Sequence, residues 1–348
     1  MDVLYRAGPG RCPQARKPWC TNGSTAPVAR ECTRAAVSVP RCPYDDTQVL
    51  EALVSNLFRA ACPCAPCRCA PCLSALRRGM SHALVAPPAV LITIPFSHYC
   101  EKARWGLDRA GAHYVERGYL PMIHVPFVKA AGGARMVPVL ATREGVIGDS
   151  TAILRWCDAH TIAPGVAALW PEHAAQADEV ARWEDAFDTT VGVDARRLAY
   201  GHVLGDRGYM DGLVARVVPR WQQLLFQCVR PLAIGGIRRG LRINDEGVAR
   251  SLARLDATFV AVGAALFDGR RYLVGGRFTA ADLTFAALSA PVLLPPELSY
   301  YYGARDAVPE AFGALVDRLR ATPAGAYALR LYAEERGRIG AGNSLPPI

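Results

Sequence analysis

The chain has 348 residues, 51% of them hydrophobic and 20% charged, which is enough for one large or two ordinary domains with a true core and excludes disorder throughout. The net charge of +9 is uneven: residues 1–80 hold eleven Lys and Arg against five Asp and Glu, while the rest holds twenty-nine against twenty-six. That nearly balanced body shows no basic stripe with interleaved aromatics, so nucleic acid is not an expected partner.

The longest apolar stretch, Leu84 to Phe96, is broken by Pro87, Pro88 and Pro95, and no membrane-spanning helix is expected. The opening residues lack the apolar run of a signal peptide, which makes the cytoplasm the default compartment. Nine of the twelve cysteines precede residue 80, five of them in Cys62-Pro-Cys64-Ala-Pro-Cys67-Arg-Cys69-Ala-Pro-Cys72. Two-residue spacings suit a tetrahedral thiolate metal site, but no second ligand pair is evident and no histidine precedes His82. Residues 1–85 therefore read as a low-complexity, disordered Cys/Pro-rich extension without a metal, and Met80 is a candidate alternative start. Disulfides are not expected in a cytosolic chain, and the body carries only Cys100, Cys157 and Cys228.

From residue 81 the texture changes. Val90-Leu-Ile-Thr-Ile94 is a β-branched run of strand length ended by Pro95. Ser97 opens a helix with Cys100, Ala103, Leu107 and Ala110 on one face and Gly111 as its stop. His113 to Arg117 reads as a second strand, followed by a Gly-bearing connection with Pro121, Pro126, Gly132 and Gly133. Val137-Pro-Val-Leu140 and Val146-Ile147 flank a hairpin signal at Arg143-Glu-Gly145, and Ser150 is expected to cap a helix that buries Ile153, Leu154 and Cys157. The order β-α-β, connection, β-β-α is thioredoxin-like, with a parallel first pair and an antiparallel last pair.

Beyond Trp170 helical patterns dominate: Glu172 to Val203, Asp211 to Cys228, Glu246 to Phe267, Ala280 to Leu288 and Ala307 to Arg320. Thr279 and Asp282 form a capping pair, with Phe278 stapling onto Leu283. Gly235, Gly236 and Gly240 among Arg238, Arg239 and Arg242 read as an exposed linker without the Gly-Lys-Ser/Thr of a phosphate loop. The expected fold class is thus an α/β thioredoxin-like domain (86–165) followed by an all-α helical domain (166–348).

Four motifs in this order resemble the cytosolic glutathione transferase family: Ser97-His-Tyr-Cys-Glu-Lys-Ala-Arg-Trp105, Met136-Val-Pro-Val-Leu140, Asp149-Ser150 and Phe278-Thr-Ala-Ala-Asp-Leu-Thr-Phe285. They cover residues 88 to 335. The resemblance implies a transferase that conjugates the glutathione thiolate to a hydrophobic electrophile, with Ser97 facing the glutathione sulfur. It further implies that Val137 and a cis-Pro138 pair with the cysteinyl backbone, and that Asp149 and Ser150 hold the glutamyl end. Lys129, His124 and Arg135 compete for the glycine carboxylate. Relatives are commonly dimers, so a homodimer is implied as well. The chemistry is independent of the name: a thiol ionises more readily at a helix N-terminus that offers free N–H groups and a hydroxyl donor. His98 stands where many relatives have proline, and serine replaces the cysteine of reductive relatives.

Trp183, Phe187, Tyr200 and Trp221 are candidates for the wall against the electrophile. Two alternatives stay open: a non-catalytic ligand-binding protein of the same fold, and a glutathione-dependent thiol reductase using Cys100. The nucleophile-elbow likeness of Gly148-Asp-Ser150-Thr-Ala152 is set aside, because helices rather than further parallel strands follow it. Tyr99 is expected to serve packing.

Overall fold

The structure, a computed structural model, describes residues 89–336. The expected extension over residues 1–85, with its cysteine cluster, lies outside the described residues.

Strand β1, Ala89–Thr93, leads through a turn into α1, His98–Ala110. The helix stops at Gly111, whose φ of 70° is left-handed and carries no Cβ penalty only for glycine. β2, Tyr114–Gly118, returns parallel to β1, with Ala89 opposite Tyr114 and Thr93 opposite Gly118. The Gly-bearing connection that follows contains a short helix, α2, His124–Ala130. Pro126 does not prevent it, because first-turn N–H groups have no intrahelical partner to lose. β3, Val139–Ala141, and β4, Val146–Ile147, form the expected antiparallel hairpin, and the sheet order is β2-β1-β3-β4.

Helix α3, Ser150–Ala159, packs back onto α1. Its cap is Asp149 rather than the expected Ser150. The Asp149 carboxylate accepts the Ala152 N–H at 2.9 Å, and Ser150 is already the first helical residue. Asp reaches the N3 amide from the extended backbone that Asp149 adopts, whereas Ser150 has turned helical and is buried. Leu91, Leu107, Leu140, Ile153 and Cys157 close one core between sheet and helices.

The rest of the described chain is helical: α4 Ala174–Thr189, α5 Val191–Val203, α6 Arg207–Val217, α7 Arg220–Gly240, α8 Asp245–Ala265, α9 Ala280–Leu293, α10 Ser299–Tyr302, α11 Glu310–Arg320 and α12 Pro323–Leu331, then a π-helical turn Tyr332–Arg336. The pattern read as one helix from Glu172 to Val203 breaks at Thr190. The expected linker with Gly235, Gly236 and Gly240 is instead the end of α7, and only Arg242 lies beyond it. Each glycine costs a helix about 1 kcal/mol, yet on the same turns Ala233 is buried and Ile237 packs against the helical core, and such packing works against that cost. Every residue of α9 is buried, so it forms the centre of the helical core, with α1, α4, α5 and α12 packed around it. Leu283, Phe285 and Leu288 there contribute about 1.5–3 kcal/mol each through burial.

Candidate active site

Strand register brings three segments to one end of the sheet. Ile92 pairs with Val139 and Leu140 with Ile147, so the end of β1, the start of β3 and the end of β4 lie side by side. Ser97, Val137–Pro138 and Asp149–Ser150 follow or precede these strand ends and therefore emerge together. The Val137–Pro138 peptide is cis, as the resemblance implied. Two helices, α1 and α3, begin at this same end, and their unpaired N–H groups favour an anion there.

Ser97 is the N-cap of α1 with extended backbone, but its hydroxyl caps nothing. It is half-buried, and it hydrogen-bonds with the Cys100 thiol one turn on. Burial pushes that thiol up to about 11, with Arg104 and the Ser97 contact opposing only in part. Cys100 is therefore a thiol at neutral pH and not the activated thiolate that a reductase needs.

The residues after Ser97 fix this loop to the helical region. His98 is buried and its Nε2–H donates to the Gly192 carbonyl at 2.7 Å. Desolvation, aided by the Arg196 charge, lowers its pKa to about 3, so the ring is neutral. Tyr99 donates to the Asp188 carbonyl at 2.8 Å, and burial raises its phenol to about 12, which agrees with a packing role. The Tyr99 hydroxyl lies so close over Gly192 that a Cβ there would collide with it.

A cavity of 610 Å³ opens on Ser97. Phe96 and Leu120 from the thioredoxin-like region and Leu213, Phe226, Tyr302 and Phe312 from the helices give it an apolar wall. Gln222 of α7 ties that wall together, its Oε1 accepting from Leu120 N at 2.9 Å and its Nε2 donating to Gly118 O at 3.0 Å. Of the four aromatics expected on the wall, only Tyr200 is there. Phe187 is turned into the core against Phe285, Trp183 stacks on Phe187, and Trp221 is 37% exposed on α7. The helix faces chose between core and cavity, and the spacing of aromatics did not reveal which.

His124 and Arg135 line the cavity, His124 Nε2 donating to the Arg135 carbonyl at 3.0 Å. Burial lowers the His124 pKa, so Arg135 is the lasting positive charge at this edge. Lys129 is exposed and outside the cavity wall. Sequence reasoning missed Arg196, which lines the opposite wall with Tyr200, because a lone arginine on an amphipathic helix gives no signal of facing inward. Among the described residues no group of three or more His, Cys, Asp or Glu could hold a metal ion, and no helix is long and apolar enough to cross a membrane.

Residues 91–164 match the family described as glutathione S-transferase, N-terminal domain. No curated protein matches the chain. Among solved structures, the chain is similar to a glutathione S-transferase from Methylobacillus flagellatus with glutathione bound (18% identity, 71% of this chain and 95% of that one, TM-score 0.46). It is also similar to a theta class glutathione S-transferase from Xanthomonas axonopodis pv. citri with glutathione bound (22% identity, 70% and 97%, TM-score 0.39) and to a beta-etherase from Sphingobium sp. strain SYK-6 (19% identity, 70% and 99%, TM-score 0.43). The likeness to the glutathione S-transferase family is thus carried by the thioredoxin-like region, residues 91–164, which matches that family's N-terminal domain.

Proposed function

We propose that the protein is a glutathione transferase that joins the glutathione sulfur to a hydrophobic electrophile, with Ser97 as the residue at the sulfur. The observation that carries this reading is the opening of a 610 Å³ apolar cavity directly on Ser97, at the sheet end where two helices begin. In this reading the tripeptide lies along that end. Val137 and Pro138 pair with its backbone, Asp149 and Ser150 receive its glutamyl end, and Lys129 or one of its competitors, His124 and Arg135, meets its glycine carboxylate. The thiol proton leaves to solvent as the Ser97 hydroxyl and the N-terminal amides of α1 stabilise the thiolate. The thiolate then forms an S–C bond to the electrophile held in the cavity, and a leaving group departs with its electron pair where the electrophile carries one.

The reading extends to a domain division at residues 86–165 and 166–348, and to a cytoplasmic homodimer acting in detoxification, as the resemblance implies. The buried thiol of Cys100 speaks against the reductase alternative. The test uses the full chain: retention on immobilised glutathione and turnover of a chloronitroarene with glutathione. Ser97→Ala is expected to keep retention and to lower kcat/KM about a hundredfold or more. Retention without turnover in the wild type would favour the ligand-binding alternative, and loss of retention would refute glutathione as substrate.

A further inference from the structure

The wall of the cavity opposite the sheet carries two polar groups that the proposed conjugation does not use. Arg196 and Tyr200 stand one turn apart on α5 and both line the cavity. No hydrogen bond or ion pair holds the Arg196 guanidinium among the described residues, and no Asp or Glu lines the cavity with it. The nearest carboxylate on its own helix, Asp194, is taken: Arg254 and Ser251 reach it at 2.7 Å each and Arg197 at 3.2 Å. The Tyr200 hydroxyl likewise has no hydrogen-bond partner among the described residues. Burial raises its pKa to about 12, so it is a donor at neutral pH. The other ionisable groups lining the cavity are His98, which is neutral, His124, Arg135, Tyr209 and Tyr302, and the Tyr99 ring lies 5.9 Å from the Arg196 guanidinium. An apolar chamber whose helical wall sets an uncompensated cation beside a phenol donor, with Arg135 at a separate edge, has a place for an anion on that wall.

We infer that the hydrophobic electrophile is itself an anion, an apolar carboxylic acid whose carboxylate is held by Arg196 and Tyr200 while its reactive carbon faces Ser97. The inference deepens the proposed transferase reading and rests on it for the word electrophile, but not for the binding site. Arg196 and Tyr200 are specificity-determining residues in it, and the bond-forming step stays as written above: S–C forms, the leaving group takes its electron pair, and the thiol proton goes to solvent.

Two measurements on the full chain separate this inference from the reading it rests on. In the first, chlorodinitrobenzoate and its primary amide are compared as acceptors for glutathione, chloride being released from both. The wild type is expected to prefer the acid in kcat/KM by about tenfold or more. Arg196→Gln should remove the preference, Arg196→Lys should restore most of it, and Tyr200→Phe should lower it severalfold. In the second, no chemistry is required: decanoate and decanamide compete with the fluorescent anion anilinonaphthalene sulfonate in the absence of glutathione. An acid preference lost in Arg196→Gln and kept in Arg196→Lys supports the inference even if neither chloroarene turns over, an outcome that would count against the transferase reading alone. Equal competition by acid and amide in the wild type overturns the inference, even with brisk turnover of both chloroarenes. So does an Arg196→Gln variant that raises the KM for glutathione while leaving the acid-to-amide ratio as in the wild type, because the guanidinium would then serve the tripeptide.

Discussion

His98, where many members of the family have proline, holds the loop of Ser97 by a hydrogen bond instead of by a ring-restricted backbone. The sign of its pH dependence follows from its burial. In the unfolded chain the imidazole titrates near 6.5, while in the folded one desolvation and Arg196 keep it neutral down to about 3. Below pH 6.5 the unfolded state takes up a proton that the folded state refuses. The contribution of this residue is therefore complete above 6.5 and is lost as pH falls toward 3, by up to about 1.4 kcal/mol per pH unit. His98→Gln keeps an N–H donor and removes the titration. Between pH 7 and pH 5, urea unfolding should show the wild type losing about 2 kcal/mol more than the variant. Equal losses would mean that the ring is solvated or protonated in the folded state. At this scale the sequence was legible where local geometry decides: a serine between a strand end and a helix start has to sit at the cap. It was not legible where packing decides. Arg196 reads as a solvent-facing charge until α5 is laid against the end of the sheet, and Lys129, attractive by type, points outward.

Helices with a clear stop or cap were legible for the same local reason. α1 ends at Gly111, and α9 starts with the Thr279–Asp282 pair. The end of α7 was hidden because three glycines and three arginines carry the composition of a linker, and the packing of Ala233 and Ile237 on the helical core is not written in that composition. Asp282 shows how far a cap can reach. Its carboxylate accepts from Thr279 N at 2.7 Å, Thr279 Oγ1 at 2.9 Å and Leu273 N at 2.8 Å, and also from the Tyr327 hydroxyl. It thereby joins the start of α9 to the preceding loop and to α12. Asp282→Ala would strand these donors in a fully buried place, so the expected loss is about 3 kcal/mol or more, against about 1 kcal/mol for an ordinary exposed cap. Urea titration measures it. A loss near 1 kcal/mol would show that water or a neighbouring acceptor reaches the vacated site.

The whole molecule turns on α1, which is buried everywhere except at Tyr99 although it carries five charged side chains. Four of them form ion pairs across the boundary or within their own region, and Arg109 donates to the Ala167 carbonyl at 3.3 Å. Arg104 pairs with Glu116 at 2.9 Å, and Glu101 and Asp108 meet Arg336 of the π-helical turn at 2.9 and 2.8 Å. Lys102 donates to Glu184 and Asp188 of α4 and to Thr151 of α3. Neither region can expose this helix without leaving charges unpaired, so the two proposed domains are expected to unfold in one transition. Lys102 tests the argument most sharply, because it is fully buried and its two carboxylates belong to the helical side. With Lys102→Met, Glu184 and Asp188 remain beside one another in a site that burial already makes unfavourable for the Asp188 charge. The expected cost is about 3–5 kcal/mol, well beyond the 0–1 kcal/mol of a surface pair. Calorimetry should then show a single transition at lower temperature. Two resolved transitions, or a loss below 1 kcal/mol, would mean that the helical region holds its carboxylates without help from α1 and that the two regions stand independently.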